Sequence, residues 1–230
     1  EVTTGKNLDW FFEQWVYKPG VPEITATYRY NRRSQLVSLT LKQTQDVEST
    51  SLFKLPMVVV IDDGSVNRYD IFFDKVEDTF TFPAEMEPLM VGVDEGFQIP
   101  KRLTFEKKTD ELLYQLKNAP VPNDRIWAAR ALKKKRSTKK IHSALIAMLS
   151  AEPKWYVRME IANTYQSLKP RNGAADLMAA YDDQDDRVKR AIISALREYE
   201  TEEVKLFLLD VIENEQNDYL VSTAIYSLIK

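Results

Sequence analysis

The sequence predicts a chain of the β-then-α class, in which an antiparallel β-sandwich precedes an α-α superhelix. Two patterns support this. Residues 23–105 alternate between apolar and polar side chains with a period of two, which is typical of half-buried strands. From Thr109 onward the apolar residues follow a helical period and recur at regular intervals. We therefore expect a terminal helix and linker at 1–22, a β-sandwich at 23–105 and a superhelix of helix pairs at 106–230.

The predicted sandwich consists of short strands separated by turn residues. The strand-like runs are EITATYRY, LVSLTLKQ, FKLPMVVVID, RYDIFF, DTFTFP and PLMVGVD. No intervening segment has a helical pattern long enough for the crossover that parallel neighbours require. About seven short strands with frequent turns favour an antiparallel sandwich.

The predicted superhelix contains about four helix pairs, because two sets of apolar residues recur along it. The first set is Leu112-Leu113, Leu145-Ile146, Leu177-Met178 and Leu208-Leu209, with spacings of 33, 32 and 31 residues. The second set is Ala128-Ala129, Ile161-Ala162, Ile192-Ile193 and Ala224-Ile225. We expect Asp186 and Asp218 to cap second helices of two pairs. Val157-Arg158 and Val188-Lys189, each followed by small apolar residues, resemble the HEAT type of repeat.

The opening stretch GKNLDWFFEQWVYKPGVPE, residues 5–23, is unusually aromatic. Leu8, Phe11, Phe12 and Trp15 have the offsets 0, 3, 4 and 7, which place them on one face of a helix. Asn7 or Asp9 is available to cap that helix, and Trp10 lies off the apolar stripe. Such a helix needs a large apolar partner surface. We therefore expect its rings to be exposed or to pack against a neighbouring molecule.

Composition excludes several classes of functional site. The formal net charge of −3, from 32 Lys and Arg against 35 Asp and Glu, gives no general attraction to nucleic acid. One histidine, His142, and no cysteine leave no thiolate site and no H-E-x-x-H zinc motif. Neither a glycine-rich phosphate loop nor a G-x-S-x-G motif is present. We therefore predict no catalytic, cofactor-binding or metal-binding residue, no nucleic-acid partner and no membrane span.

The segment LDWFFEQWVYKPGVPEI resembles a junction in the aminopeptidase N family of zinc metallopeptidases. In that family the closing helix of the catalytic domain leads into a small β-sandwich, and an α-helical, HEAT-like domain follows. The segment ELLYQLKNAPVPNDRIWAARAL at 111–132 is similar to the start of that helical domain in bacterial members. The residues that match at the junction are Leu8, Trp10, Phe11, Phe12, Gln14, Trp15, Pro19, Gly20 and Pro22.

The resemblance implies that this chain is the non-catalytic C-terminal portion of a zinc aminopeptidase. The family's zinc ligands, catalytic glutamate, substrate-gripping glycine motif and oxyanion-stabilising tyrosine lie upstream of the junction and match nothing here. The partners implied are the missing N-terminal and catalytic domains, with peptide substrates and zinc belonging to the parent protein. This chain alone is expected to be inactive, and either the cytoplasm or the periplasm is compatible with its sequence.

Two other functions compete with this reading. A stand-alone, HEAT-like interaction scaffold would have no enzymatic activity. A carbohydrate-binding sandwich would need exposed aromatic residues on one sheet face, for which Tyr28, Tyr30 and Phe72 are available.

Four smaller features also have alternative interpretations. The run KKKRSTKK at 133–140 is a solvated loop or a phosphate-binding site, and solvation is favoured because no aromatic residues interleave with its cations. The run DDQDD at 182–186 fits helix capping better than a calcium loop, which requires a different spacing. Trp127 and Trp155 fit the core better than a ligand platform. His142 is expected at the surface or half-buried.

Overall fold

The structure is a computed structural model that describes residues 7–182 and 185–229, without the side chains of Val47 and Ser49. The chain divides after Lys108 into two compact units. The first contains β-sheets and the second contains helices, so the β-then-α class predicted from the sequence is confirmed. The assignment of 1–22 to another domain stays a prediction, and residues 1–6 lie outside the described residues.

The first unit begins with a short helical segment, in which α1 (Asp9–Phe12) runs directly into a π-helix (Glu13–Tyr17). A one-turn helix, α2 (Val47–Thr50), lies between the second and third strands. The strands among the described residues are β1 (Glu23–Asn31), β2 (Leu36–Gln43), β3 (Leu55–Asp62), β4 (Val66–Phe73), β5 (Glu77–Pro83), β6 (Met90–Val93) and β7 (Arg102–Phe105).

These strands form two sheets, one with the order β5-β2-β1-β7 and one with the order β4-β3-β6. Four of the five strand pairings among the described residues are antiparallel, but β7 pairs with β1 in parallel, with Glu23 opposite Arg102. The sandwich is therefore antiparallel except at this one pair, which the sequence pattern did not predict. The crossover that parallel strands require is supplied by all the strands between β1 and β7, so no crossover helix is needed.

The core of the sandwich follows the predicted alternation. Val37, Leu39 and Leu41 of β2 are fully buried, and the intervening residues are half-buried. The two sheets also meet through aromatic side chains, since the ring of Tyr69 in β4 lies 4.8 Å from the ring of Phe82 in β5. Alternate burial fixes the register of each strand, because a shift by one residue would turn its apolar side chains to solvent.

The second unit consists of consecutive helix pairs, as the repeats predict. Its helices among the described residues are α3 (Thr109–Asn118), α4 (Pro122–Leu132), α5 (Lys139–Ala151), α6 (Trp155–Leu168), α7 (Gly173–Ala179), α8 (Asp186–Leu196), α9 (Glu202–Asn214) and α10 (Asp218–Leu228). The second helices contact one another in the order α4, α6, α8 and α10. Leu112, Leu145, Leu177 and Leu208, the leading residues of the first recurring set, are all buried.

One hydrogen bond recurs between successive second helices. The Thr164 hydroxyl of α6 donates to the Ala129 carbonyl of α4 at 3.1 Å. The Ser227 hydroxyl of α10 donates to the Ile193 carbonyl of α8 at 3.3 Å. Thr164 and Ser227 occupy the same position in their repeats, and so do Ala129 and Ile193.

The helix caps differ by one residue from the prediction. Asp185, not Asp186, caps α8 by accepting a hydrogen bond from the Arg187 backbone N–H at 3.0 Å. Asn217 likewise caps α10 in place of Asp218. Asp186 and Asp218 are the first residues of their helices, where a carboxylate still interacts favourably with the helix dipole. Residues 183 and 184 of the DDQDD run lie outside the described residues.

Candidate functional site

The opening segment is not the single α-helix that its apolar stripe predicts. The backbone N–H of Lys18 donates to the Glu13 carbonyl at 3.1 Å, an i to i+5 bond that widens the turn. The widened turn separates Trp15 from Leu8, Phe11 and Phe12, and Trp15 contacts the sandwich instead. The expected grouping of all four on one face was therefore wrong at Trp15.

Gln14 anchors the segment to the sandwich. Its side chain is 8% exposed, its Nε2 donates to the Lys54 carbonyl at 3.1 Å, and its Oε1 accepts from the Lys54 backbone N–H at 2.6 Å. The side-chain amide thereby pairs with both polar groups of one peptide unit, as a neighbouring strand would. Sequence reasoning did not assign this role to Gln14. The available signal was a polar residue between aromatic ones.

Two ring contacts complete the attachment. The Trp15 ring lies 5.4 Å from that of Phe53, and the Trp10 ring lies 6.4 Å from that of Phe72 in an edge-to-face arrangement. Both tryptophans are half-buried. The segment is thus held to the first unit along one side by Trp10, Gln14 and Trp15.

The opposite side of the segment presents apolar side chains to solvent. Phe11 is 42% exposed and Phe12 is 47% exposed, and their rings contact each other edge to face at 5.7 Å. Leu8, Val16 and Tyr17 are exposed as well. We call Leu8, Phe11, Phe12, Val16 and Tyr17 the outer face of the segment. Several large apolar side chains exposed on one short segment are typical of an interaction surface.

The chain leaves the segment through a turn that requires glycine. Gly20 has a φ of +97°, and a Cβ atom at this position would lie 2.4 Å from the Thr50 Cγ2. A larger residue would therefore meet both backbone strain and a steric clash. Pro22 is buried directly afterwards, and β1 begins at Glu23. This turn fixes where the segment joins the first strand.

The Ser137 and His142 pair has the geometry of a capping contact. The Ser137 hydroxyl donates to the Leu168 carbonyl at the end of α6, at 3.0 Å, and lies 2.6 Å from the His142 Nε2. Because a hydroxyl carries one proton, Ser137 accepts from a protonated Nε2 when it donates to Leu168. His142 then acts as a donor to Ser137.

A group of tyrosines lies beside this pair. The Tyr165 hydroxyl donates to the Asp176 carboxylate, and burial followed by this bond raises the pKa of Tyr165 well above its usual range. Burial and the charge of Asp176 raise the pKa of Tyr199 to about 12. Burial, opposed by the charge of Asp176, lowers the pKa of His142. These directions indicate neutral side chains packed in the helical unit near pH 7.

The basic run 133–140 is partly neutralised within its own unit. Lys133 forms an ion pair with Glu160 at 2.7 Å, and Lys140 forms one with Asp110 at 2.6 Å. Lys134, Arg136 and Lys139 are exposed. These contacts are compatible with a solvated loop, and the absence of a nucleic-acid partner stays a prediction.

The aromatic residues that the sequence suggested as ligand platforms either pack within the helical unit or lie on different sheets. Trp127 and Trp155 pack, half-buried, against the core of the helical unit, and the Arg187 guanidinium lies 3.3 Å from the centre of the Trp155 ring. Tyr28 and Tyr30 lie on β1 of one sheet, whereas Phe72 lies on β4 of the other. The three side chains proposed for a carbohydrate platform therefore do not share one sheet.

Two other kinds of site are absent from the described residues. No group of three or more His, Asp or Glu side chains in residues 7–182 and 185–229 is arranged to hold a metal ion. Over the same residues, every helix is too short or too polar to span a bilayer. The outer face of the opening segment is therefore the candidate functional site.

Comparisons with known proteins agree with this architecture. A family model for HEAT repeats matches residues 142–229. Aminopeptidase A of Legionella pneumophila, solved with aspartic acid, superposes with a TM-score of 0.72 at 17% identity, over 97% of this chain and 33% of that chain. A stretch of 41 residues, 18% of this chain, is 44% identical to 3% of transcription initiation factor TFIID subunit 2 of Saccharomyces cerevisiae.

These similarities differ in identity and in the share of each protein that they cover. At 17% identity the aminopeptidase likeness shows the fold alone, and this chain spans about a third of that enzyme's length. It spans a far smaller part of the TFIID subunit. The fold is therefore a sandwich-like pair of sheets followed by HEAT-like helix pairs, of the kind found within an aminopeptidase.

Proposed function

We propose that this chain is the non-catalytic C-terminal portion of a zinc aminopeptidase whose catalytic domain packs against the outer face of the opening segment. The observation that carries the proposal is the exposure of Phe11 and Phe12 on a segment that Gln14 holds to the sandwich. Rings held rigidly in solvent have a use if a second apolar surface covers them. The aminopeptidase fold likeness supports the same reading.

In this proposal the two units have architectural roles in the parent protein. The sandwich braces the catalytic domain, and the helix pairs enclose the chamber that admits peptides. Movement of the helix pairs as a block would open and close that chamber. The proposal assigns the implied zinc and the hydrolysis to the rest of the parent. The partners are the missing N-terminal and catalytic domains and, for the parent, peptide substrates.

The proposal is tested by reconstitution from two polypeptides. The region that the natural reading frame encodes upstream of Glu1 is co-expressed with this chain, and co-purification is measured. We expect a complex that cleaves an amino-acid anilide in a chelator-sensitive manner, whereas this chain alone with added zinc does not. Phe11→Ser with Phe12→Ser should abolish co-purification. Val76→Ser, which alters an exposed apolar residue elsewhere in the first unit, should leave co-purification intact.

A second candidate function is an interaction scaffold without enzymatic activity. The observation in its favour is the 44% identity of a 41-residue stretch to a subunit of a transcription initiation factor. HEAT-like helix pairs form extended binding surfaces in many scaffolds. The two functions differ in the upstream region, where a peptidase needs a zinc-binding H-E-x-x-H helix and a scaffold does not. A reconstituted complex without chelator-sensitive cleavage would favour the scaffold.

A further inference from the structure

The helical unit has an inner side that its second helices form. Successive second helices pack closely against one another, whereas successive first helices hardly meet. In a curved stack of helix pairs the more closely spaced helices lie on the inside of the curve, where such arrays bind their ligands. The side chains that the second helices turn away from their first helices therefore line this inner side.

Four positions of each second helix lie on the inner side. In α8 and the residue that follows it they are Arg187, Arg190, Ser194 and Arg197, whose offsets of 0, 3, 7 and 10 place them along one helix face. None of the residues at these positions is buried. We call them the inner stripe. The equivalent residues of the other second helices, or directly after them, are Asn123, Ile126, Arg130 and Lys133 for α4, Tyr156, Met159, Asn163 and Gln166 for α6, and Tyr219, Ser222, Tyr226 and Ile229 for α10.

Two contacts hold the α6 and α8 parts of the inner stripe side by side. The Gln166 Nε2 donates to the Ser194 carbonyl at 3.1 Å. The Arg187 guanidinium lies 3.3 Å from the centre of the Trp155 ring at the start of α6. Neighbouring parts of the inner stripe therefore form one continuous surface in the middle of the array.

The inner stripe is basic in a chain that is acidic overall. It contains no aspartate or glutamate, although the whole chain has 35 Asp and Glu against 32 Lys and Arg. A surface lined by charges of one sign attracts ligands of the opposite sign. The inner stripe therefore favours an anionic ligand. Its cations are Arg130, Lys133, Arg187, Arg190 and Arg197.

Three of these cations are neutralised by carboxylates beside the stripe. Arg130 and Lys133 share the buried carboxylate of Glu160, at 3.0 Å and 2.7 Å. Arg187 pairs with Asp185 at 2.8 Å. Their charges are therefore already balanced within the helical unit.

The other two cations, Arg190 and Arg197, are available to a ligand. Both are exposed, and neither forms an ion pair with another described residue. Seven residues separate them, which places their Cα atoms about 10 Å apart along the helix. Because α6 and α10 both contact α8, these guanidinium groups lie within the array and not at one of its ends.

We propose that Arg190 and Arg197 bind carboxylates of a peptide, either at its C-terminus or on its acidic side chains. The assignment of the ligand to peptides rests on the proposed function, in which the helix pairs enclose the chamber that admits them. A guanidinium group binds a carboxylate through two parallel hydrogen bonds. Because an extended peptide advances about 3.4 Å per residue, carboxylates three residues apart reach both arginines.

A single strand of nucleic acid fits these two arginines less well. Proteins that bind single strands interleave cations with aromatic rings on which the bases stack. The helix α8 contains no aromatic residue, and the neighbouring Trp155 ring is covered by Arg187. The net charge of −3 also gives no general attraction to a long polyanion. The chemistry therefore favours a short ligand with few negative charges.

The test measures binding of alanine-based hexapeptides to this chain at pH 7 and low salt. One peptide has a C-terminal carboxylate and a Glu three residues before it. The other peptides replace the carboxylate by an amide, the Glu by Gln, or both. We expect the first to bind about tenfold more tightly than the peptide with neither carboxylate, and to shift the Nε–H resonances of Arg190 and Arg197 in NMR spectra. The two intermediate peptides show whether the terminal or the side-chain carboxylate is bound.

Arg190→Gln combined with Arg197→Gln should remove the preference for carboxylates. The matched control is Arg136→Gln combined with Arg171→Gln, which removes the same charge from exposed arginines outside the inner stripe and should retain the preference. All four side chains are exposed, so the melting midpoints of both variants should equal that of the unmodified chain.

Four results would overturn the proposal. The first is equal binding of all the peptides, and the second is an equal loss of preference in the control variant. The third is a single-stranded oligonucleotide that binds the same arginines more tightly than the peptide with two carboxylates, because the ligand would then be a nucleic acid. The fourth is an upstream region that blocks the peptides at these arginines in the reconstituted complex, because the occupant would then be part of the same polypeptide.

The peptide measurement uses this chain alone and is therefore independent of the cleavage assay. If the reconstituted complex cleaves the anilide but the peptides bind equally, the inference about Arg190 and Arg197 is refuted and the proposed function stands. If the peptides show the expected preference but the complex does not cleave, the proposed function is refuted instead.

Discussion

The side-chain amide of Gln14 forms both hydrogen bonds of a strand-like pairing with the peptide groups of Lys54, at 3.1 Å and 2.6 Å. This contact converts the opening segment from a linker into a fixed extension of the first unit. It leaves Phe11 and Phe12 pointing to solvent on the other side. The orientation of the apolar rings, on which the proposed function depends, is therefore set by this buried polar side chain together with the ring contacts of Trp10 and Trp15.

Gln14→Ala should destabilise the first unit by about 1–3 kcal/mol, because it leaves the Lys54 N–H and carbonyl without partners in a partly buried place. Denaturant unfolding followed by tryptophan fluorescence measures this, since Trp10 and Trp15 lie on the same segment. Glu13→Ala, one residue away and exposed, is the matched control and should change the free energy of unfolding by less than about 0.5 kcal/mol. Equal effects of the two substitutions would refute the anchoring role.

The helix pairs were predictable from the sequence because their signal is local and repeated. Leu112 and its equivalents recur at nearly constant spacing, and burial at each of them follows from the same packing. The parallel pairing of β7 with β1 was not predictable in this way. It joins residues about eighty positions apart, Glu23 and Arg102, and no local pattern encodes such a pairing.

The candidate site was predictable in composition but not in geometry. The aromatic residues identified the opening segment, yet the π-helical turn that moves Trp15 onto Phe53 depends on tertiary packing. The anchoring role of Gln14 also depends on tertiary packing. From sequence alone a polar residue near aromatic ones is expected to face solvent, and only the contact with Lys54 shows that it is buried. The capping role of Asp185 was misplaced by one residue because helix ends are the least certain part of a sequence pattern.

The buried pair of Arg125 and Glu152 should be costly to break. The guanidinium binds the carboxylate through two bonds of 2.8 Å and also donates to the Ala119 carbonyl. Arg125→Met leaves Glu152, whose side chain is 1% exposed, without its counter-charge and should destabilise the helical unit by about 3–5 kcal/mol. Urea unfolding followed by circular dichroism is the measurement.

A matched control is available in the same unit. Lys205 pairs with Glu202 at 3.4 Å, but both side chains are more than half exposed. Lys205→Met should therefore cost no more than about 1 kcal/mol. If Arg125→Met were as mild as this control, the buried pair would not hold α4 to the loop before α6.

Loss of the side-chain hydroxyl should affect stability differently at Tyr199 and at Tyr165. Among the described residues the buried Tyr199 hydroxyl has no hydrogen-bond partner, whereas the Tyr165 hydroxyl donates to Asp176. Tyr199→Phe should leave stability at pH 7 unchanged or slightly raised, because it removes an unsatisfied polar group. Tyr165→Phe should cost about 1.5–3 kcal/mol, the usual loss for a bond to a charged acceptor. Thermal unfolding of both variants gives the comparison, and equal losses would contradict it.

The same tyrosines predict an alkaline limit to stability. The pKa of Tyr199 is raised from 10.0 to about 12 in the folded chain, so the folded state holds its proton over a pH range in which the unfolded chain has lost it. Stability should therefore fall as the pH rises from 10 towards 12. Tyr199→Phe should reduce this slope, which denaturant unfolding across that range would measure. If the substitution left this slope unchanged, the loss of stability at alkaline pH would come from other groups.

His142 should make the stability of the fold decrease as the pH falls below 6.5. Its pKa is lowered from 6.5 in the folded chain, chiefly by burial and despite the opposing charge of Asp176. The unfolded chain therefore takes up the proton first as the pH falls, so stability is complete above 6.5 and declines as the pH drops towards the folded pKa. His142→Gln should flatten the dependence below pH 6.5. Because the sequence contains one histidine, its imidazole resonance can be titrated by NMR without overlap, and a folded-state pKa at or above 6.5 would contradict the prediction.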